Sequence, residues 1–172
     1  MNLRLLQEAD AEIYQNFRLL ALRSSPEAFG STYEREAAFS PESVANRLKA
    51  AEGKFVLGAF DDAGKLAGCV TFIRENGQKT LHKGNVFGMF VSPEMRGRGV
   101  GKALLRELVA LAKGMDGVEQ INLTVVSVNE SARKLYESVG FQMYGTERRA
   151  LKYNGQYFDE DLLVLRLIND PS

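Results

Sequence analysis

Val91-Ser92-Pro93-Glu94-Met95-Arg96-Gly97-Arg98-Gly99-Val100-Gly101-Lys102 joins an apolar, strand-like run at 86–91 to an amphipathic, helix-like run at 100–112. A strand feeding a helix through a glycine-rich turn is a site where backbone N–H groups face outward. Glycines at 97, 99 and 101 remove Cβ atoms where a ligand would approach the chain, and a helix start leaves several N–H groups without intrahelical acceptors. Those donors and the positive end of the helix dipole suit an anion. Arg96, Arg98, Lys102 and Arg106 add positive charge around the same point. Taken alone, the loop reads equally as a pyrophosphate cradle or as a surface turn.

The rest of the composition narrows the setting. A chain of 172 residues suits one domain, expected to span 1–172, and buries a substantial core. Basic and acidic side chains balance at 22 each, so no bulk field draws the protein to nucleic acid or to an anionic membrane. Cys69, the only cysteine, lies in the apolar run 66–73 and reads as a buried small hydrophobe in a reducing compartment. The first ten residues are too charged for a secretion signal and no later run has the length of a membrane span, so a cytoplasmic protein is expected. With His82 and Cys69 as the only soft ligands, no metal site is expected.

Working outward from the loop, residues 3–6 suggest a short strand, and Ala9, Ile13, Phe17, Leu20 and Ala21 recur at helical spacing. Ser24-Ser25-Pro26 breaks that helix. The irregular segment 28–39 reads as a partly helical wall of an active site. Ser40-Pro41 is an N-cap followed by proline at the first helical position, opening a helix to about residue 51. Strands at 55–60 and 66–73 flank Asp61-Asp62-Ala63-Gly64, a hairpin signal, and a third strand at 81–92 follows Asn76-Gly77. The helix at 99–113 ends near Gly114, and a β-branched strand follows at 119–126. Asn129 caps a further helix that Gly140 ends. Asn154-Gly155 joins final strands at 143–152 and 156–167.

The segment one strand after the loop, Asn129-Glu130-Ser131-Ala132-Arg133-Lys134-Leu135-Tyr136-Glu137-Ser138-Val139-Gly140-Phe141, adds a second pattern in fixed order with the first. Together they resemble the GNAT superfamily of acyl-CoA-dependent N-acetyltransferases. Arg96, Gly99 and Gly101 match its Arg/Gln-x-x-Gly-x-Gly/Ala signature, and residues 129–141 match its Asn-x-x-Ala-x-x-Leu-Tyr-x-x-x-Gly-Phe pattern. The resemblance implies an α+β fold: a mixed, mostly antiparallel central sheet flanked by helices on both faces, with the strands ending near Val91 and Val126 splayed apart. It implies acetyl-CoA as acetyl donor, with backbone of Met89, Phe90 and Val91 pairing with the pantetheine arm. It places the pyrophosphate on Gly97, Arg98, Gly99, Val100, Gly101 and Lys102 beside Arg96, and Asn129 and Ser131 near pantetheine. Arg133 or Lys134 would meet the 3′-phosphate, unless both merely form a solvated face.

For the chemistry, the resemblance points to Tyr136, which would protonate the departing coenzyme thiolate; without the motif, Tyr136 reads as a packing residue beside Ala132, Leu135 and Val139. Some relatives that acetylate protein N-termini carry a glutamate where alignment from Asn129 places Thr124. Glu34, Glu36, His82 and Asn85 are the candidates to accept the amine's proton, and Glu34 is the nominee. The run Asp159-Glu160-Asp161 either attracts a cationic amine or serves as a polar hairpin edge. The expected reaction is direct transfer to a primary amine of a small molecule, peptide or protein, in a ternary complex; the alternative is an acyl-CoA-binding regulatory module with little transfer activity. A homodimer is compatible with the edge offered by the last strands. A nucleoside triphosphatase is excluded by the absence of Gly-x-x-x-x-Gly-Lys-Ser/Thr, and a dinucleotide oxidoreductase is poorly matched by glycines at alternate positions.

Overall fold

The computed structural model describes residues 1–168, and the last four residues of the predicted domain lie outside them. Seven strands form one sheet in the order β1-β2-β3-β4-β5-β7-β6. They are β1 (Asn2–Leu5), β2 (Lys54–Phe60), β3 (Leu66–Arg74), β4 (Lys83–Val91), β5 (Gln120–Val126), β6 (Gln142–Tyr153) and β7 (Gln156–Arg166). Among the described residues only β4 and β5 pair in parallel, and α4 carries the chain back between them as a crossover. Every other neighbouring pair is antiparallel, so the sheet is mixed and mostly antiparallel.

Among the described residues five α-helices flank it: α1 (Ala11–Ser24), α2 (Tyr33–Ala37), α3 (Pro41–Leu48), α4 (Val100–Lys113) and α5 (Glu130–Val139). The central strands read as continuous apolar runs because both of their faces are covered. Leu57, Ala59, Val70 and Phe72 pack with Leu104, Leu105 and Leu108 of α4. The alternate residues Val56, Phe60 and Cys69 pack with Tyr14, Phe17, Ala21, Val44 and Leu48 of α1 and α3. Period-two alternation thus divides each strand between two cores. Cys69 is buried, and burial pushes its thiol up to about 12.

Local chemistry sets the ends of these elements. Ser40 Oγ accepts from Ser43 N with Pro41 at the first helical position, and Asn129 Oδ1 accepts from Ala132 N at the start of α5. The α3 helix stops at Leu48, three residues short of the sequence expectation, because Ala51 bridges to Lys54 as the chain turns into β2. The irregular segment 28–39 is partly helical: it follows a 3-10 turn at Pro26–Ala28 and contains the five-residue α2.

Two features of β4 create the opening that matters for function. Its parallel pairing with β5 stops after Asn85↔Asn122, so residues 86–91 and 123–126 diverge. Cys69 pairs with Phe90 and Thr71 with Phe87, which sets Val70 alone against Gly88 and Met89. This bulge, with Gly88 at φ +59°, bends β4 away from β5.

Candidate active site

The splay opens a cleft of about 1100 Å³ between β4, β5, α5 and the segment 25–31. Met89, Phe90 and Val91 line it from β4, and Arg96, Gly97, Gly99, Val100, Gly101 and Lys102 line it from the loop and the start of α4. Asn129, Ser131 and Tyr136 line it from α5. Of the residues the sequence assigns to the pantetheine and the pyrophosphate, only Arg98 is absent from the lining, and it is exposed.

The loop is built for an anion. Gly97 and Gly99 have φ of +76° and +80°, and a Cβ at either would meet no protein atom within 4 Å, so the space in front of the backbone is open. The first backbone bond into α4 runs from Ala103 N to Gly99 O, which leaves the N–H groups of Val100, Gly101 and Lys102 without helical acceptors. Gly99 supplies no side-chain cap, and no acidic residue stands in the first turn. A diphosphate fits these donors. Gly101 has a different reason for being glycine: a Cβ there would lie 2.8 Å from Leu135 Cδ2 and 3.2 Å from Met89 Cε, so it lets α5 pack against α4. Nor is Arg96 a freely mobile charge. Its Nε donates to Val91 O at 3.1 Å and its guanidinium lies over the Phe90 ring, tying the loop to the end of β4.

Tyr136 is both packed and placed. It is buried against Phe141, with ring centroids 6.0 Å apart, yet it lines the cleft. Burial pushes its phenol above the ordinary tyrosine range, so it is protonated at neutral pH and available as a donor. Tyr14 of α1 is a second phenol in the lining, pushed up to about 12 by burial.

The acceptor side departs from the sequence reading. Glu34, the nominated base, is exposed on α2 and does not line the cleft; the wall there is 25–31, ahead of α2. Glu36 is fully buried and takes three guanidinium bonds: Arg18 Nε to Oε1 at 3.0 Å, Arg18 Nη2 to Oε2 at 3.0 Å and Arg47 Nη1 to Oε1 at 2.9 Å. Burial alone would raise its pKa, but these donors hold it down at about 2, too acidic to accept a proton near neutrality. His82 and Asn85 lie outside the lining, and Asn85 Nδ2 donates to Glu75.

The acidic run on β7 separates into three roles. Asp159 Oδ1 accepts from Arg149 N in the hairpin. Asp161 is buried and accepts from Ser127 Oγ, Thr146 Oγ1 and Arg133 Nη1, which hold its carboxyl below the usual range. That bond commits Arg133 to the sheet, and neither Arg133 nor Lys134 lines the cleft. Glu160 does line it, and its Oε2 accepts from Thr124 Oγ1 at 3.1 Å. The carboxylate missing from position 124 is thus supplied beside it by the next strand. From sequence Glu160 stands only in the acidic run that either attracts an amine or edges the hairpin, not among the candidate bases, and the cleft residues Tyr14, Arg18 and Arg47 are not singled out. The available signal was Tyr14 and Arg18 falling on the same helical face as Phe17 and Ala21.

The family model for the acetyltransferase (GNAT) family matches residues 15–141, so the chain belongs to that family. The fold, the cleft and this match define the class as the GNAT acetyltransferase family. Among relatives, the L-amino acid N-acetyltransferase AaaT of Escherichia coli is 37% identical over 73 residues, which are 42% of this chain and 45% of that protein. The N-alpha-acetyltransferase RimI of Mycobacterium tuberculosis is 46% identical over 65 residues, 38% of this chain and 39% of that protein. The chain therefore spans less than half the length of these two curated relatives in the matched stretches. The yncA protein of Salmonella typhimurium, solved with its cofactor acetyl-CoA, shares the fold with a TM-score of 0.84 at 19% identity, covering 100% of this chain and 96% of that one.

Proposed function

We propose that the protein transfers the acetyl group of acetyl-CoA to a primary amine by direct attack in a ternary complex. The observation that carries this reading is that one cleft is lined by the anion-binding loop, by Tyr136 and by Glu160. Acetyl-CoA supplies an activated thioester and a thiol leaving group. The N–H groups of residues 100–102 hold the diphosphate, and the unpaired edge of β4 at Met89 and Val91 receives the pantetheine arm as an added strand.

An ammonium must lose a proton before it can attack, and Glu160 accepts it directly or through one water. Thr124 donates to Oε2, which orients the carboxylate and leaves Oε1 for the amine. As the carbon–sulfur bond breaks, Tyr136 gives its proton to sulfur, a role suited to a phenol kept neutral by burial. The reaction belongs in the cytoplasm, in keeping with the single buried thiol of Cys69.

The test is purified protein with acetyl-CoA against amino acids, polyamines, aminoglycosides and short peptides, read by thiol release and by the mass of the acetylated product. Amine-dependent release with a product heavier by one acetyl group supports the reading. Tight coenzyme binding with no amine-dependent release would favour the regulatory module instead.

A further inference from the structure

We infer that the cleft takes acceptors bearing a carboxylate as well as the reacting amine, and that Arg47 binds that carboxylate; the identity of the amine as the reacting group rests on the transfer reading above. The argument begins with an imbalance of charge. Glu36 is one carboxylate shared by two guanidinium groups, so one positive charge in the cluster is not neutralised. Arg18 is the clamped member. Two of its nitrogens donate to Glu36, its guanidinium lies 4.7 Å over Phe29, and its side chain is 12% exposed.

Arg18 Nη1 is buried in the same cleft without a hydrogen-bond partner, but Arg47 is the more exposed of the two. Its side chain is 38% exposed and lines the cleft, and among the described residues its only hydrogen bond is from Nη1 to Glu36. Its guanidinium lies 4.9 Å over the Phe39 ring, so the group is held in place with donors to spare. A planar guanidinium fixed in this way suits a carboxylate and loses little freedom on binding.

The surrounding charges sort by side. Lys54 of β2 lines the cleft with Arg18 and Arg47. The two carboxylates of the lining are Glu27 and Glu160; Glu160 is on β7 beside β5, and Glu27 is on the Pro26–Ala28 turn that packs against β5. A molecule with an ammonium at one end and a carboxylate at the other matches this polarity, its amine toward Glu160 and its acid toward Arg47. A polyamine offers nothing to Arg47.

The experiment pairs each of a panel of L-amino acids with its own amide, which keeps the amine and the side chain and removes only the negative charge. Rates at saturating acetyl-CoA are compared per concentration of free amine, because the amide lowers the amine pKa. The acids are expected to exceed their amides in kcat/KM by about tenfold or more, the effect of a charge-assisted contact. Arg47→Gln should bring the ratio toward one, chiefly through KM of the acid, while Arg47→Lys retains part of it. General damage to the fold would lower acid and amide together and leave the ratio unchanged. Amides used as well as acids by the wild type, or a ratio unmoved by Arg47→Gln, would overturn the inference. If no amine is acetylated, the transfer reading has failed, and calorimetric titration of the same pairs into protein saturated with coenzyme A decides this one. Acid-selective binding lost in Arg47→Gln supports it, and equal binding of acid and amide overturns it.

Discussion

Thr124 Oγ1 lies 3.1 Å from Glu160 Oε2 across the β5–β7 ladder. Thr124 faces Leu162 and Val126 faces Glu160 in that ladder, so Glu160 is the diagonal neighbour of Thr124 on the same face. A shorter side chain on β5 and a longer one on β7 thereby put a carboxylate beside position 124, in the cleft. Glu160→Gln should lower kcat by about 10²-fold near neutral pH while leaving the KM for acetyl-CoA unchanged. Thr124→Val should cost much less, since it only releases the carboxylate from one donor. A wild-type kcat in Glu160→Gln would exclude Glu160 as the base.

Tyr136→Phe isolates the opposite end of the reaction. The change removes one oxygen, keeps the ring against Phe141 and should leave coenzyme binding intact. Turnover near neutral pH should fall by about 10²-fold, because the thiolate then leaves without a positioned donor. Burial holds the wild-type phenol above its ordinary range, so the Tyr136 proton stays available well into alkaline solution. Loss of activity in alkali near pH 8 would therefore have to come from another group. Equal rates for variant and wild type at saturating acetyl-CoA would remove the acid role and turn attention to Tyr14, the other phenol in the lining.

These two residues differ in how far the sequence exposes them. Tyr136 sits in a contiguous pattern whose cap, apolar stripe and terminating glycine all belong to one helix, and it is the family resemblance of that pattern that points to it. The order of elements along the chain and the Asn154-Gly155 hairpin are legible because period and turn residues are local signals. Glu160 becomes a cleft residue only through the β5–β7 register, which no window of sequence contains. Glu34 and Glu36 show the limit from the other direction. They are two residues apart in one irregular segment, yet one is exposed and the other fully buried under Arg18 and Arg47. Residues 18, 36 and 47 meet only after three helices have packed.

The Glu36 cluster should set the acid stability of the fold. Its carboxyl titrates at about 2 in the folded protein against 4.5 ordinarily, a depressed value, so the unfolded chain binds the proton more readily. The stabilisation is fully present above pH 4.5 and is lost as the pH falls toward 2. At neutral pH it amounts to about 3 kcal/mol by linkage, the group being fully buried. Thermal melts of the wild type should drop steeply across that window. Glu36→Gln should melt lower at pH 7, with two guanidinium groups facing a neutral amide, and should show a shallower acid dependence. Identical acid slopes would assign the loss to other carboxylates such as Asp161.

Gly97 and Gly101 belong to one motif and should fail in different ways. At Gly97 a Cβ meets no protein atom within 4 Å, but φ is +76°, so Gly97→Ala carries a backbone penalty of about 1–2 kcal/mol and places a methyl group in the open space before the loop. Its main effect should be a raised KM for acetyl-CoA, with a small fall in melting temperature. At Gly101 the backbone is helical, and the added atom lies 2.8 Å from Leu135 Cδ2 and 3.2 Å from Met89 Cε. Leu135 lies one residue from Tyr136, so Gly101→Val should push α5 away from α4, costing about 1–3 kcal/mol as overpacking. Because α5 carries Tyr136, the acid of the proposed reaction, kcat should fall along with stability. Calorimetric melting, coenzyme titration and steady-state rates on the two variants separate these outcomes. Loss of coenzyme affinity without loss of stability in Gly101→Val would mean that this glycine serves the ligand and not the helix contact.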